Sequence, residues 1–600
     1  MLRTNDSRRP LRRRVVGVVV AVAATITIAG CANIPEAGGE TFTAILPPWQ
    51  QSAPVNPYAA NAVALEGWVS SPLAFWLQKD DDFEPQIAKS WDVQRPTDVA
   101  ADVVLTITID DEANWPDGSP ITSADVETSL ELDALFGSTA GTHIKSIETP
   151  SEKQIVVTQT SEPFHLFERA VLTTYVQSAK EWKQHLPDDA IGLVAAAAAG
   201  DETASTKSAD AVAKISAVDA RGDYQGSGPY SFSKITASEI LLSKNDEWVN
   251  AAKVVPTSVK IVGASSTQAF GLLQSGKMDY VSTYAPPAVV DSYLKRDGSH
   301  LVAPDGNYGP ALYFNTSVAP FDDVRVRQAL AYTIDRKATV AAAYPLDSSS
   351  IEAAEAAAAP HALSPAIDAA WLSDDTRAQL NPYDLDLKKA EGLLTEAGMV
   401  KESGKWMFDG APFKVEIATP AGATDWVATS EAVANQLSQA GIDASVSSIE
   451  TNTFFANANT GLYPVSLNQA GSVNQDPWSS LSSTMSTIGL SGASETTYNW
   501  GPELQLADGR TVNVTDSWQT LATTFDEATI TDNVNSIALA FNQTLPVIDL
   551  FYNKFYAAFY STSRWEGWPD ESSPLWDPNI IADSGMAPLM VTVAGLKPSS

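Results

Sequence analysis

A chain of 600 residues exceeds what one hydrophobic core can serve, so two or three domains are expected. With 44% apolar and 18% charged residues it is globular rather than disordered. A formal net charge of −34 makes an acidic surface that repels phosphate backbones, which argues against nucleic acid as a partner.

Arg3, Arg8, Arg9, Arg12, Arg13 and Arg14 form a basic start, followed by an apolar stretch from Val15 to Ala29. That stretch is shorter than the roughly 20 residues a membrane-spanning helix needs, and it reads as an export signal. It runs into Ile28-Ala29-Gly30-Cys31, which resembles a bacterial lipobox; Cys31 is the one cysteine of the chain. The resemblance implies cleavage before Cys31 and a lipid anchor on its sulfur. Ser7-Arg8-Arg9-Pro10-Leu11 bears a fainter resemblance to a twin-arginine signal. With no second cysteine, the exported body has no internal disulfide. His143, His165, His185, His300 and His361 form no paired zinc motif, so neither metal nor cofactor is expected.

Thr41 to Leu46 reads as a strand, followed by a rigid loop, Pro47-Pro48-Trp49-Gln50-Gln51. After Ile87-Ala88-Lys89-Ser90-Trp91-Asp92, residues Val103 to Ile109 alternate as a strand does. Asn114-Trp115-Pro116-Asp117-Gly118-Ser119-Pro120 is a turn, and Thr122 or Ser123 can cap the helix that begins Ala124-Asp125-Val126. Ala195 to Thr206, rich in Ala, Gly, Ser and Thr, reads as a surface loop or poorly ordered insertion. Gly226-Ser227-Gly228-Pro229-Tyr230 has the look of a phosphate loop but lacks its lysine and following helix. Gln268 to Ser275 is helical and leads into Gly276-Lys277-Met278-Asp279-Tyr280.

Ala311 to Asn315 reads as a buried strand; Pro320 stops the next segment, and Asp322 or Asp323 caps a helix. Val326, Ala329, Leu330, Thr333 and Ile334 share one buried face of that helix, with Arg325, Arg327 and Arg336 placed elsewhere. Ala342 to Ala370 reads as a long loop with a helical piece. Asp386 to Gly398 is an amphipathic helix with Gly398 past its end, Phe413 to Ile417 a strand, Glu431 to Ala440 a helix and Ala444 to Ile449 a strand.

The stretch from Ala311 to Lys337 strongly resembles the mid-chain signature of family 5 solute-binding proteins, the receptors of peptide-type ABC importers. Ala88-Lys89-Ser90-Trp91, the Trp115-to-Val126 block, the GSGPY block and the Asp386-to-Gly398 helix resemble further marks of that family, in its order, over roughly residues 41–590. The resemblance implies a three-domain, type II periplasmic-binding-protein α/β fold with a ligand cleft between lobes. Domain I would be discontinuous (32–70, 218–309 and 553–600), domain II would span 71–217 and domain III 310–552, with 1–30 the signal peptide. It also implies a monomeric, non-enzymatic, lipid-anchored importer receptor that captures oligopeptides and hands them to permease subunits. Oligosaccharide is a near-equal alternative, and sensing or adhesion without transport a third. A hydrolase would need paired carboxylates; Asp80-Asp81-Asp82 and Asp384 with Asp386 read as solvated turns.

In peptide-binding relatives an Asp three residues before an Asp-Pro pair holds the peptide's α-ammonium group, with a Trp three residues further upstream. Aligned on Asp476-Pro477, that places Val473 at the Asp position and Ala470 at the Trp position, which puts recognition of a free amino terminus in doubt. Asp476 takes the role only if the register slips. Most of the 16 Trp and 17 Tyr belong in cores, but Trp49, Tyr308, Trp478 and Trp500 sit in loops and could stack on a ligand. The candidate ligand set is therefore Trp49, Gln51, Tyr308, Gln469, Val473, Asn474, Asp476, Trp478 and Trp500.

Overall fold

The computed structural model describes residues 41–599 other than 47–54, 60–64, 78–81, 96–102, 138, 161–163, 220–223, 283–286, 303–306, 345–353, 422, 459, 473, 491–499, 501–502, 507–508, 554–557 and 577–585. The lipobox with Cys31 thus lies outside the described residues, as do Trp49, Gln51 and Val473.

Strand Thr41–Leu46 lies parallel to Ser258–Gly263, although more than two hundred residues separate them. The sheet continues antiparallel through Glu239–Lys244 and Tyr230–Ile235. Its core joins Phe42, Tyr230, Leu242 and Ile261 to Tyr560 and Trp565, so three distant parts of the chain share one interior. The Asp of the Gly276-to-Tyr280 segment seals this union. Asp279 is 1% exposed, accepts from the Thr43 N–H at 2.8 Å and pairs with Arg564 at 3.2 Å. Burial raises its carboxyl to about 6, against the opposing pull of the Arg564 charge.

A second unit is built on four antiparallel strands, in the order Ala88–Gln94, Val104–Ile109, Gln154–Gln159, Ile144–Ser151. Leu105, Ile107 and Ile109 turn inward against Val126 and Leu130 of helix Ser123–Leu135. Thr122 caps that helix, and the Asp125 carboxylate accepts from the Thr122 N–H at 2.8 Å. The expected loop at 195–206 is instead part of two helices, Ala190–Ala198 and Glu202–Ser216. Asp189 and Asp201 cap them, and Gly200, with φ of +90°, makes the turn between them. Alanine's helix propensity, once capped, outweighs the loop-like look of the composition.

The remaining sheet is the largest, in the order Ala354–Ala356, Phe551–Asn553, Tyr308–Phe314, Val465–Gly471, Lys414–Pro420, Asp443–Ile449, with Val547–Asp549 also on Tyr308–Phe314. Asp323 caps helix Val324–Thr333, whose Val326, Ala329, Leu330 and Thr333 are buried as the periodicity predicts. Arg327 is buried with them, 4% exposed. Its guanidinium donates to the carbonyls of Phe321, Asp322, Thr544 and Leu545, tying the helix to the far end of helix Glu527–Thr544. Arg336 does the same for the carbonyls of Ala357, Ala358, Pro382 and Tyr383. These arginines supply donors to backbone that no ladder reaches. The segment expected to be a long loop with a helical piece carries that piece as helix Pro365–Trp371 and adds a strand, Ala354–Ala356.

Two backbone segments run side by side where the first unit meets the second. Gly228 N–H donates to Val69 O and Tyr230 N–H to Trp68 O, both at 3.0 Å. A Cβ on Gly226 would lie 1.6 Å from Val69 O, and one on Gly228 2.5 Å from Val69 C. The glycines of the GSGPY block therefore serve this close approach and not a phosphate.

Candidate ligand cleft

Strands Lys414–Pro420 and Val465–Gly471 are parallel, and Tyr308–Phe314 runs against the second of them. The carboxyl ends of the first two thus share a sheet edge with Tyr308, which lies opposite both Gly471 and Asn553. Ligands of open α/β sheets bind at such edges, where the loops diverge. Gly471 turns the chain out of the sheet at φ +73°, and a Cβ there would lie 2.5 Å from Asn307 O.

The loop that follows is ordered by its own side chains. Asn474 N–H donates to Ser472 Oγ, and Asp476 N–H to Asn474 Oδ1, each at 3.1 Å. Asp476 then caps helix Pro477–Thr487 by accepting from the Ser479 N–H at 2.8 Å. Its other oxygen meets Nε2 of His165 at 2.5 Å, and His165 belongs to the unit built on the four-stranded sheet. The same junction holds Arg169, whose guanidinium lies 4.1 Å from the Trp76 ring centroid, and Phe164, edge-on to Trp478 at 5.2 Å. Trp478 in turn stacks on Trp518 at 5.7 Å, with the rings 7° from parallel. Burial pushes the Asp476 carboxyl up, but the hydrogen bond and charge of His165, with the Ser479 N–H, bring it below its ordinary value.

Of the expected ligand set, the structure brings Tyr308, Gln469, Asn474, Asp476 and Trp478 together at this edge. Gln469 pairs with Pro310, and its carbonyl accepts from the Tyr313 hydroxyl at 2.6 Å. Tyr308 and Trp478, expected in loops, lie instead in strand Tyr308–Phe314 and helix Pro477–Thr487, and Trp500 is a further correction. It is 6% exposed, packs on Phe541 at 4.8 Å, and leaves little surface for stacking on a ligand. Asp476, spent on a cap and on His165, is a poor free carboxylate for a ligand ammonium. Sequence reasoning missed His165, Arg169 and Phe164, which meet Asp476, Ser479 and Trp478 from far along the chain with no local pattern to mark them. Close to the same edge, the Tyr344 hydroxyl lies 3.1 Å from both Asp425 Oδ2 and Asn553 Oδ1. No group of three or more His, Cys, Asp or Glu among the described residues is placed to hold a metal.

The family model of bacterial extracellular solute-binding proteins, family 5, matches residues 82–490. Heme-binding protein A of Haemophilus influenzae is 30% identical over 177 residues, 29% of each chain. A Brucella ovis protein named for peptide binding by an ABC transporter is 24% identical over 341 residues, 56% of this chain and 55% of its own. The chain thus spans between about a fifth and about half of the length of the curated relatives it matches. Two solved structures are similar nearly end to end. The periplasmic oligopeptide-binding protein of Thermotoga maritima with bound mannohexaose has a TM-score of 0.68 at 20% identity, covering 94% of this chain and 99% of that one. AppA of Bacillus subtilis in complex with a nonapeptide has 0.63 at 16%, covering 93% and 99%. These likenesses establish the type II solute-binding fold. On the family match, the chain belongs to the bacterial extracellular solute-binding proteins of family 5.

Proposed function

We propose that this protein is a lipid-anchored, monomeric receptor that captures oligopeptides between closing lobes and delivers them to ABC permease subunits. The observation that carries this reading is the sheet edge at Tyr308, Gly471 and Asn553, facing a second unit across the His165–Asp476 junction. The crossing segments tie the unit of the four-stranded sheet to the first unit, and the His165–Asp476 contact brings it against the unit of the large sheet, an arrangement that suits hinge closure around a ligand. In the proposed division, domain I comprises 32–70, 218–309 and 553–600, domain II 71–217 and domain III 310–552. The Brucella relative and the nonapeptide complex favour peptide; the mannohexaose complex supports oligosaccharide as the second reading.

Titration calorimetry with peptides of two to nine residues, beside β-linked di- to pentasaccharides, separates the two. Peptide binding with saccharides inert is the expected result; the reverse overturns the peptide reading. For the anchor, two or three acyl chains on Cys31 hold a protein at a membrane where one chain does not. Cys31→Ala should move the protein from the membrane fraction to the soluble one or block its processing, and unchanged fractionation would refute the anchor.

A further inference from the structure

At the His165–Asp476 junction both ring nitrogens of His165 face oxygen atoms that only accept. Nε2 lies 2.5 Å from Asp476 Oδ2, and Nδ1 lies 2.8 Å from the Ala522 carbonyl oxygen. A neutral imidazole has a single N–H, so it can serve one of these oxygens and must present a lone pair to the other. Satisfying both takes one proton more than a neutral imidazole and a carboxylate contain, whether that proton rests on nitrogen or on oxygen. The pair is largely withdrawn from water, with side chains 12% and 11% exposed. The backbone N–H of His165 also donates to Ala522 O at 2.9 Å, so the ring cannot swing away without breaking a second bond across the same junction.

We propose that closing this junction takes up one proton, making His165–Asp476 a pH-sensitive latch between the unit of the four-stranded sheet and the unit of the large sheet. The inference rests on the lobe-closure reading above and goes beyond it, to what regulates closure. On its own side, His165 has Glu168, engaged with Arg95 at 2.5 Å, and Arg169, which faces Trp76, donates across the junction to Ser479 Oγ at 3.5 Å and helps to hold the Asp476 carboxyl below its ordinary value; as a guanidinium it keeps its charge throughout and adds no pH step of its own. His143 stacks on Phe164 at 4.5 Å, away from Asp476. Across the junction Phe525 meets the ring edge-on at 6.4 Å, and its neighbour Asp526 is turned to its own cap on Thr529. An imidazole in water holds a second proton only below about pH 6.5. The closed form, whose two acceptor oxygens call for the extra proton, is therefore disfavoured at alkaline pH relative to an open form that does not need it. Each pH unit of difference in proton affinity between the two forms shifts the closed-to-open ratio about tenfold.

The test is small-angle scattering of the purified protein between pH 5.5 and 8.5, with thermal unfolding to show that every sample is folded. The wild type should be compact at pH 5.5 and have a larger radius of gyration at pH 8.5. His165→Gln keeps a donor but cannot titrate, and Asp476→Asn keeps the cap on Ser479 without the carboxylate; both should lose the step. General expansion of an acidic surface with pH is shared by the variants, so it cannot imitate this pattern. A wild-type radius that does not change, or a step that survives in either variant, overturns the latch. Adding the di- to nonapeptides at pH 8.5 keeps the two readings apart: compaction by peptide without a pH step leaves lobe closure standing and removes only the latch.

Discussion

Gly226→Ala should weaken the native state by about 3 kcal/mol or more, read as a lower midpoint of thermal or urea unfolding. The added methyl would sit 1.6 Å from Val69 O, a backbone atom that cannot rotate away, so two crossing segments would have to separate. Separation also strains the bonds from Gly228 to Val69 and from Tyr230 to Trp68, the only ladder-like contacts described between those segments. Gly228→Ala should act in the same direction, with its Cβ 2.5 Å from Val69 C and 2.6 Å from Ser70 N. Gly271→Ala is the control. It lies within helix Ser266–Gln274 with open space around its Cβ, and should be neutral or stabilising by up to about 1 kcal/mol. Equal, small effects at all three positions would show that the close approach is not a constraint.

Arg327→Leu should cost about 4 kcal/mol or more, because it strands several buried carbonyl oxygens that have no other described donor in the cage. Burial lowers this guanidinium to about 10, so it stays charged at neutral pH and its hydrogen bonds stay charge-assisted. Arg327→Lys should recover little, since one ammonium cannot reproduce a fork aimed at Phe321 on one side and Thr544 on the other. Arg325→Leu, on the exposed side and paired with Asp323, should leave the unfolding midpoint nearly unchanged. Unfolding midpoints of the three variants check the order, and a loss at Arg325→Leu as large as at Arg327→Leu would contradict it.

The parts of the fold that could be read from the chain are those governed by local physics. The helix from Val324 was legible because an Asp cap and a 3.6-residue apolar period coincide there, and the 118–135 region because turn chemistry and a capping box do. The helical hairpin at 190–216 was hidden by a composition shared with loops, although Asp189 and Asp201 were visible as caps. The burial of Arg327 was illegible because its acceptors come from Thr544 and Leu545, far along the chain. For the same reason no spacing rule pairs His165 with Asp476. Trp500 illustrates the converse: a loop tryptophan is core once Phe541 of a distant helix packs on it.

The most direct measurement of the central claim, capture of oligopeptides without a carboxylate reserved for the amino terminus, is calorimetry with matched free and N-acetylated peptides. A buried ammonium without a carboxylate partner costs several kcal/mol, and the proposed alignment, with Val473 at the usual Asp position, offers the terminus no carboxylate there. Acetylation should therefore change peptide affinity little. A loss of about 3 kcal/mol or more on acetylation, the scale of a severed buried charge pair, would contradict the account and show that another carboxylate holds the terminus.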